Sequence, residues 1–352
     1  MNMKIQLPEI LAIDTDWNGN PIRQLSQPQH SLEMIVEHYQ ENSSNEYLLT
    51  PVNDSAERIL ATSASSTPPE KFNKVLKIEP NDLRGHNSGF VNLSGCEWIR
   101  HPEIFKYSED SIGYTERLKD VINSWQGTFL YLCEDRDNKV KGLRPPQIGA
   151  VHATHAHWTV TDKAATVVMP TGTGKTETML SILISKQCEK LLVAVPTDPL
   201  RTQIAGKFLT LGILKDFGIV LDQGLYPIVG VLKHKPKNRD EVDTFFGRCN
   251  VVVTTMDIAG QCNTKVQEQM AHHCPFLFID EAHHLGAATW KKLKQKFHKR
   301  KVLQFTATPF RNDNKPVEGE IIFNYPLSKA QKEGYFKHIH FKPVRVYDPS
   351  KV

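Results

Sequence analysis

The stretch from Ala165 to Thr178 constrains the fold of this chain more than any other part of the sequence. It begins with a short apolar run rich in β-branched residues, Ala165–Met169, which predicts a buried strand. A tight turn with glycines at 172 and 174 follows, and the pair Lys175–Thr176 then opens a helical pattern. A strand, a glycine turn, Lys-Thr and a helix in this order are typical of a phosphate-binding loop.

The residue types in this turn suit a bound phosphate. Glycines let consecutive backbone N–H groups converge on an anion, and the helix N-terminus adds its partial positive charge. We expect Lys175 to reach the β- and γ-phosphates of a nucleotide and the hydroxyl of Thr176 to ligate Mg²⁺. The other residues expected to bind the nucleotide are Thr171, Gly172, Thr173, Gly174 and Glu177. Met169 replaces the first glycine of the usual pattern, and the alternative is a plain glycine turn between a strand and a helix.

The charge of the chain is divided unevenly along its length. Residues 1–142 hold 14 Lys and Arg against 21 Asp and Glu, a net charge of −7, whereas residues 143–352 hold 29 against 18, a net charge of +11. At this length two or three domains are expected. The basic part is suited to a polyanion such as nucleic acid, although lysine-rich faces are also common on ordinary soluble proteins.

The composition predicts a cytoplasmic protein without a membrane span. No run of 18 apolar residues occurs, and the polar N-terminus does not have the pattern of a secretory signal. The six cysteines are scattered without a C-x-x-C spacing, which favours free thiols in a reducing compartment.

Residues 1–142 predict a smaller α+β domain. Apolar spacing predicts helices over Ser31–Gln40 and Tyr114–Trp125. Residues 61–70 are rich in Ser, Thr and Pro and predict a loop, whereas Phe129–Leu132 predicts a strand. Nothing in this part of the sequence identifies a ligand.

The segment 134–139 predicts a turn after that strand. Its Asp137 and Lys139 have the D-x-K spacing of one class of nuclease site. Such sites need further carboxylates on neighbouring strands, and none can be placed here from the sequence. A solvated hairpin turn is therefore the favoured interpretation.

From Leu143 onward strands and helices alternate, which predicts an α/β domain with a parallel sheet. Proline in the first turn marks a helix that begins within Leu143–Gln147, and Thr197 followed by Pro199 marks another. The predicted strands are 165–169, 190–196, 228–232, 250–255, 276–279 and 302–305.

Two polar segments follow predicted strands of this part. Ligands in open α/β sheets bind at the carboxyl ends of the strands, so we expect both segments to meet the phosphate-binding loop. Asp280 is expected to hold Mg²⁺, and Glu281 to orient the attacking water and accept its proton. His283 is expected to couple this pair to Thr306 and Thr308. The alternative for the two consecutive acids is a helix N-cap pair.

Together these segments resemble the first RecA-like lobe of superfamily 2 helicases, in the branch of DEAH-box proteins and restriction-type translocases. The resemblance covers residues 143–345, and it implies a P-loop RecA-like parallel sheet with helices on both faces. It is carried by LRPPQ at 143–147, MPTGTGKT at 169–176, VPTDPLRTQ at 195–203, VVVTT at 251–255, DEAH at 280–283 and TATP at 306–309.

The resemblance also implies an activity and a function for individual residues. The reaction would be hydrolysis of ATP, with ATP and Mg²⁺ as cofactors, Lys175, Asp280 and Glu281 as catalytic residues and Gln147 reading adenine. The residues implied to contact nucleic-acid phosphates are Thr197, Arg201, Thr254 and Thr255. Double-stranded DNA is preferred as the partner on resemblance alone. The basic segments 233–239 and 289–301 are interpreted as solvated faces.

The family also has a second RecA-like lobe, which contributes an arginine finger, and the sequence contains no segment of that kind. Residues 346–352 are expected to begin a linker to a second lobe supplied in cis or in trans, so that the chain would be a fragment, a truncated form or half of a split enzyme. Two functions stay open. One is an ATP-dependent helicase or translocase, and the other is a module that binds ATP and nucleic acid without hydrolysis.

Overall fold

The computed structural model consists of two β-sheets with helices packed on the second. Within the described residues, one sheet has seven strands and the other has nine. The predicted linker, 346–352, lies outside those residues. The residues described are 2–39, 46–54, 56–63, 68–83, 89–104, 111–284, 288–310 and 317–336.

The N-terminal hundred residues form strands, most of which build a mixed sheet. These strands are β1 (Asn2–Leu7), β2 (Ile10–Trp17), β3 (Asn20–Gln27), β4 (His30–His38), β5 (Glu46–Pro51), β6 (Ile59–Thr62), β7 (Val75–Lys77), β8 (Phe90–Asn92) and β9 (Glu97–Arg100). The sheet has the order β8-β1-β4-β5-β6-β7-β9. Its own core contains the fully buried Ile5, Leu49 and Leu76.

The helix predicted over Ser31–Gln40 is wrong, because this segment forms β4. The strand pairs antiparallel with β1, where Ile5 faces Leu32, and also with β5 on its other side. Of its side chains only Met34 is buried. Pairing on both sides gives the backbone its hydrogen-bond partners, and this tertiary contribution outweighs the helical spacing of the apolar residues.

The next two predictions for this part have opposite outcomes. The helix predicted over Tyr114–Trp125 is confirmed as α1 (Ser111–Ser124). The strand predicted over Phe129–Leu132 is wrong, since Phe129 forms an isolated bridge with Val220 rather than a ladder. Without a continuous partner strand, apolar composition does not make a β-strand.

The turn predicted over 134–139 is confirmed. Asp135 N donates to Val140 O at 3.0 Å, and Val140 N donates to Asp135 O at 2.7 Å, so the two residues close the turn. Asp137 and Lys139 lie within it. The predicted loop 61–70 overlaps the last two residues of β6, and its residues 64–67 lie outside the described part of the chain.

The second sheet is the parallel sheet predicted after residue 143. Its later strands are β10 (Ala165–Val168), β11 (Leu191–Val195), β12 (Val229–Leu232), β13 (Val251–Thr255), β14 (Phe276–Ile279), β15 (Lys301–Thr306) and β16 (Glu320–Asn324). All pairings among β10 to β16 are parallel. The order is β16-β10-β15-β14-β11-β13-β12-β3-β2. The six strands predicted between residues 165 and 305 are confirmed.

Helices cover both faces of this sheet, as predicted. They are α2 (Pro145–Val160), α3 (Lys175–Ser185), α4 (Asp198–Thr210), α5 (Arg239–Gly247), α6 (Met256–Gly260), α7 (Thr264–His273), α8 (Ala288–Lys296) and α9 (Leu327–Lys332). In β11, Leu191 and Val193 belong to the core shared with α2 and α3, whereas Leu192 and Ala194 belong to the core shared with α5 and α7. No helix in the described ranges is long and apolar enough to cross a membrane.

A hairpin from the N-terminal part extends the parallel sheet. Strand β3 pairs antiparallel with β12, where Ile22 faces Gly230. The fully buried Gln24 donates from Nε2 to Tyr226 O at 2.7 Å. Residues 10–27 therefore share a sheet with the segment after residue 143, and a division into domains at residue 142 stays a prediction.

Gly230 provides a test of this packing. A Cβ there would lie 2.6 Å from Cys249 Sγ and 2.9 Å from Phe245 Cζ, both buried. We expect Gly230→Ala to lower the free energy of unfolding by about 1–3 kcal/mol through overpacking. The control is Gly206→Ala in α4, where a Cβ meets no atom within 4 Å. This change should stabilise the protein by about 0.5–1 kcal/mol. Thermal denaturation followed by circular dichroism compares the two, and an unchanged Tm for Gly230→Ala would contradict the packing.

Candidate nucleotide-binding site

The turn after β10 has the backbone geometry of a phosphate-binding loop. Met169 is fully buried, which explains how a large side chain can replace glycine there. Gly172 and Gly174 have φ values of +82° and +94°, in the region that favours glycine. A Cβ at Gly174 would also lie 2.0 Å from Nε2 of Gln147. Because α3 begins at Lys175, the first N–H groups of that helix have no intrahelical partner and face the loop.

Two residues at the start of α2 brace this loop. Gln147 accepts a hydrogen bond at Oε1 from Arg144 N at 2.7 Å and donates from Nε2 to Gly174 O at 3.2 Å. Arg144 donates from Nη1 to Gly172 O at 2.8 Å. Contact of Gln147 with adenine stays a prediction. The sequence motifs do not identify Arg144 as a residue of the site. Its position directly before the proline that opens a helix is the feature that could have indicated it.

The phosphate-binding loop and the acid pair come together in the structure. Nζ of Lys175 lies 2.6 Å from Oε1 of Glu281, although only 8% of the lysine side chain is exposed. Asp280 directly follows β14 and is 5% exposed. Because β10 and β14 are parallel strands of one sheet, their carboxyl ends lie at the same edge. Residues 106 positions apart in sequence are thereby placed in contact.

Asp280 is a buried carboxyl group next to a buried ammonium. Burial raises the pKa of Asp280 to about 6, with Lys175 acting against the shift and Glu281 adding to it. Oδ1 of Asp280 accepts the N–H of Glu281 at 3.0 Å. Glu281 has a φ of +49°, which is uncommon for a residue other than glycine. Strained backbone and a raised carboxyl pKa are both typical of functional sites.

His283 connects the acid pair to the segment after β15. Its Nδ1 lies 3.3 Å from Oε2 of Glu281 and 3.2 Å from Oγ1 of Thr306. Thr306 in turn donates to Thr308 O at 2.8 Å. Within the described part of the chain, the buried Oε2 of Glu281 accepts no hydrogen bond of normal geometry. The expected coupling residues are thus adjacent, and the second carboxylate oxygen of Glu281 keeps its capacity to accept a hydrogen bond.

A cavity of about 880 Å³ opens beside the phosphate-binding loop and the acid pair. Its walls are the phosphate-binding loop, the acid pair, the start of α2, the segment 134–142 and one side of α4. Thr176 and Asp280 both line it and offer oxygen atoms, which are the ligands that Mg²⁺ prefers. The loop offers backbone N–H groups, and Lys175 offers a positive charge. These groups fit a magnesium-bound nucleotide.

The other predicted nucleotide-binding residues differ in what they offer. Thr171 is exposed and lines the cavity. Thr173 is fully buried and does not line the cavity, and its hydroxyl donates to Pro170 O at 2.6 Å, so its contact with a nucleotide stays a prediction. Glu177 lines the cavity with Oε1 3.8 Å from Nζ of Lys207. Lys207 is a cation of the cavity wall that sequence reasoning did not identify.

Thr197 and Arg201 lie at the start of α4, after β11. The hydroxyl of Thr197 caps the helix by accepting the N–H of Leu200 at 3.5 Å. Arg201 is 6% exposed, with Nη1 2.9 Å from Oδ1 of Asp198. Both lie at the same edge of the sheet as the phosphate-binding loop, and their contact with nucleic acid stays a prediction.

Thr254 and Thr255 end β13 at that edge. Thr254 is fully buried, and its hydroxyl donates to Leu232 O at 3.4 Å. Thr255 is 4% exposed and caps α6 by accepting the N–H of Ile258 at 3.3 Å. The two side chains therefore serve the fold, and contact of either residue with nucleic acid also stays a prediction.

A comparison with protein families matches the part of the chain that carries the site. The model described as "Type III restriction enzyme, res subunit" matches residues 141–311, a little under half of the chain. That region includes the phosphate-binding loop, the acid pair and the segment Thr306–Thr308. This part of the chain is therefore similar to the res subunit of type III restriction enzymes. No curated protein matches the chain.

Solved structures also match, with low similarity. One is a nuclease-deletion mutant of the Type ISP restriction-modification enzyme LlaGI in complex with a DNA substrate mimic, with 20% identity and a TM-score of 0.39 over 55% of this chain and 21% of that one. Another is the ATP-dependent Type ISP restriction-modification enzyme LlaBIII bound to DNA, with 18% identity and a TM-score of 0.35 over 55% of this chain and 16% of that one. A third is the Pyrococcus furiosus Hef helicase domain, with 21% identity and a TM-score of 0.32 over 45% of this chain and 32% of that one. The match thus spans about a fifth of LlaGI and less of LlaBIII.

We expect Asp280→Asn to stabilise the protein when neither Mg²⁺ nor nucleotide is present. Asparagine keeps the oxygen that accepts the N–H of Glu281 and removes the buried charge. Because the pKa is raised from 3.8 to about 6, ionisation of Asp280 disfavours the folded state increasingly from pH 4 to pH 6 and fully above it. The cost is on the order of 3 kcal/mol at most.

Thermal denaturation measures this effect. The Tm of Asp280→Asn should exceed that of the wild type at pH 7.5, and the difference should shrink at pH 5. The exposed Asp120 in α1 provides the control, since Asp120→Asn should leave Tm nearly unchanged at both pH values. A lower Tm for Asp280→Asn at pH 7.5 would mean that the carboxylate stabilises the fold.

Proposed function

We propose that this chain is the ATP-binding lobe of a superfamily 2 helicase or translocase of the DEAH-box, restriction-type branch. The lobe hydrolyses ATP to ADP and phosphate once a second RecA-like lobe completes the site. The observation that carries the proposal is the 2.6 Å ion pair between Lys175 and Glu281, because it brings the phosphate-binding loop and the acid pair together. The family match over residues 141–311 supports the same class of enzyme.

The residues of the site divide the work of ATP hydrolysis between them. Bound Mg-ATP supplies the γ-phosphoryl group and the metal charge that neutralises its oxygens. Thr176 and Asp280 would hold the metal, and Lys175 would contact the phosphate oxygens in place of Glu281. Glu281 is then free to orient a water molecule and to accept its proton. His283 lies next to both Oε2 of Glu281 and the hydroxyl of Thr306. In this proposal, a change in the contacts of Glu281 alters the position of His283 and through it that of Thr306.

The reaction also requires positive charge opposite the γ-phosphate in the transition state. In this family the second lobe provides it as an arginine finger, worth roughly 10³–10⁵ in turnover. Arg144 is bound to Gly172 and Arg201 is paired with Asp198, so neither is placed for that task. We propose that the second lobe supplies the missing arginine, either in cis or in trans.

Double-stranded DNA is the proposed polyanion. The net charge of +11 on residues 143–352 supports a nucleic-acid partner for that part of the chain. In this proposal Thr197, Arg201, Thr254 and Thr255 mark the edge of the sheet along which the phosphates run.

The proposal also includes a compartment and a domain division. All six cysteines are free, and this supports a reducing, cytoplasmic location. In this proposal residues 1–142 form an N-terminal domain whose hairpin β2–β3 joins the sheet of the ATP-binding lobe, residues 143–345 form that lobe, and residues 346–352 begin a linker.

Substitutions at the ion pair test the site. Lys175→Ala should weaken Mg-ATP binding by about 10-fold to 100-fold, because a charge-assisted bond contributes about 1.5–3 kcal/mol. Glu281→Gln should bind Mg-ATP at least as well as the wild type, since it releases the lysine, yet lose turnover because it cannot accept a proton. Calorimetry and phosphate release measure the two effects, with Tm as the control for folding. Unchanged ATP affinity in Lys175→Ala would refute the phosphate site.

Turnover by residues 1–352 alone should be slow, and DNA should stimulate it little. Steady-state phosphate release, with and without DNA, is compared between this chain and a protein that also carries a second RecA-like lobe. Brisk DNA-stimulated turnover by 1–352 alone, abolished by Glu281→Gln, would show that the arginine is supplied within the chain or by a second copy. ATP binding without hydrolysis in both proteins would favour the module that binds without turnover.

A further inference from the structure

A basic loop follows β12 and lies at the functional edge of the sheet. We call residues 233–239 the β12 loop. Its cations Lys233, Lys235, Lys237 and Arg239 are all exposed, and His234 is exposed beside them. Because β12 is parallel to β10, β11 and β13, the loop emerges at the edge that also carries the phosphate-binding loop.

The base of the β12 loop is held on two sides. On one side, Thr254 donates its hydroxyl to Leu232 O at 3.4 Å, at the last residue of β12. On the other side, Oδ1 of Asn20 accepts the N–H groups of Lys233 at 2.7 Å and His234 at 2.9 Å. Asn20 is only 2% exposed, so this amide oxygen is withdrawn from water and committed to the loop backbone.

The hairpin that carries Asn20 fits closely against the same loop. Gly19 precedes it with a φ of +79°, and a Cβ at Gly19 would lie 2.8 Å from the ring of His234. The far end of the loop is also held, because Lys237 N donates to Oε2 of Glu241 at 2.8 Å and Asn238 caps α5. The β12 loop is therefore a short segment tied at both ends, with its lysines directed outward.

The lysines of the β12 loop are less neutralised than those of α8, whereas Arg239 at the end of the loop pairs with Glu268 at 3.6 Å. On α8, Lys291 pairs with Glu318 at 3.2 Å and Lys296 pairs with Glu268 at 2.9 Å. In the β12 loop, Lys235 bonds to the neutral amide of Gln261. Within the described residues, none of Lys233, Lys235 and Lys237 forms an ion pair with an acidic side chain. Positive charges that are not paired with acidic side chains and lie on an ordered backbone attract a polyanion and bind it in a defined position.

We infer that the β12 loop binds the sugar-phosphate backbone of nucleic acid and that Asn20 is the residue that positions it. This inference rests on the proposed function, which it deepens by naming a contact surface. It differs from the interpretation of 233–239 as a merely solvated face, and it gives the N-terminal hairpin β2–β3 a function in nucleic-acid binding.

The order of the strands supports a phosphate track. Strands β11, β13 and β12 are neighbours, so Thr197, Thr255 and Lys233 follow one another along the edge. Strands lie about 4.8 Å apart, so these three ends span roughly 10 Å. One strand of a duplex advances about 3.4 Å per phosphate, so a few consecutive phosphates cover this distance. Thr254, whose buried hydroxyl cannot reach a ligand, acts in this track by fixing the end of β12 next to Lys233.

The test compares two triple variants of the whole chain. Lys233→Ala, Lys235→Ala and Lys237→Ala are combined in the first. The control combines Lys163→Ala, Lys292→Ala and Lys299→Ala, which removes the same charge from exposed lysines on other surfaces. Lys163 and Lys299 lie two residues before β10 and β15, at the opposite edge of the sheet. Fluorescence anisotropy with a labelled DNA duplex measures affinity over a series of salt concentrations.

The β12-loop variant should bind DNA at least about tenfold more weakly at 0.1 M salt, and its slope of log affinity against log salt should fall by about 2–3, since each lost phosphate contact removes about 0.9. The control variant should stay near the wild type. Equal losses in the two variants would overturn the inference, because they would report total charge alone. Failure of the wild-type chain to bind any DNA would instead refute the proposed function.

Asn20 is tested separately as a positioning residue. Asn20→Ala should weaken DNA binding while leaving Mg-ATP affinity unchanged, and Asn20→Asp, which keeps an acceptor oxygen for the two N–H groups, should recover part of the loss. A structural defect would lower Tm and Mg-ATP affinity as well. DNA binding by Asn20→Ala equal to that of the wild type would show that the loop does not need this anchor.

Discussion

The ion pair between Lys175 and Glu281 is the contact on which the candidate site depends. The lysine is set by the glycine loop after β10, and the glutamate by the end of β14. They meet because both strands run in the same direction in one sheet, and the sheet holds together because apolar side chains cover it on both faces. The same parallel sheet thus forms the hydrophobic core and brings the two residues of the candidate site together.

That arrangement also keeps charge away from water. Asp280 and Lys175 are both nearly buried, and the raised pKa of the aspartate reports the cost of ionising it there. Buried charges of this kind are typical of functional sites, where a ligand can provide the opposite charge. Without the ligand, the free energy of unfolding is lower than it would be with a neutral side chain. In the proposed function, the same burial that weakens the fold would strengthen the attraction between this carboxylate and a metal ion.

The phosphate-binding loop could be predicted from the sequence because its determinants are local. Gly172 and Gly174 adopt backbone angles that favour glycine, and Lys175 opens the helix directly after them. The segment now seen as β4 could not be predicted, since its structure is decided by the strands on either side of it. The same is true of the bond from Arg144 to Gly172, which joins residues far apart in sequence. Backbone conformations that require a particular residue type can be predicted from the sequence, whereas the pairing of strands and side chains that are distant in sequence cannot.

The hairpin β2–β3 has a consequence for how this protein can be divided. The family match begins at residue 141, yet the sheet continues into strands from residues 10–27. A polypeptide beginning at the family boundary would present β12 as an open edge, with unpaired backbone groups that invite pairing between chains and aggregation. The nine-stranded sheet is therefore assembled from two separate stretches of the chain, and a recombination or gene-fusion event that moved only the second stretch would leave part of the sheet behind.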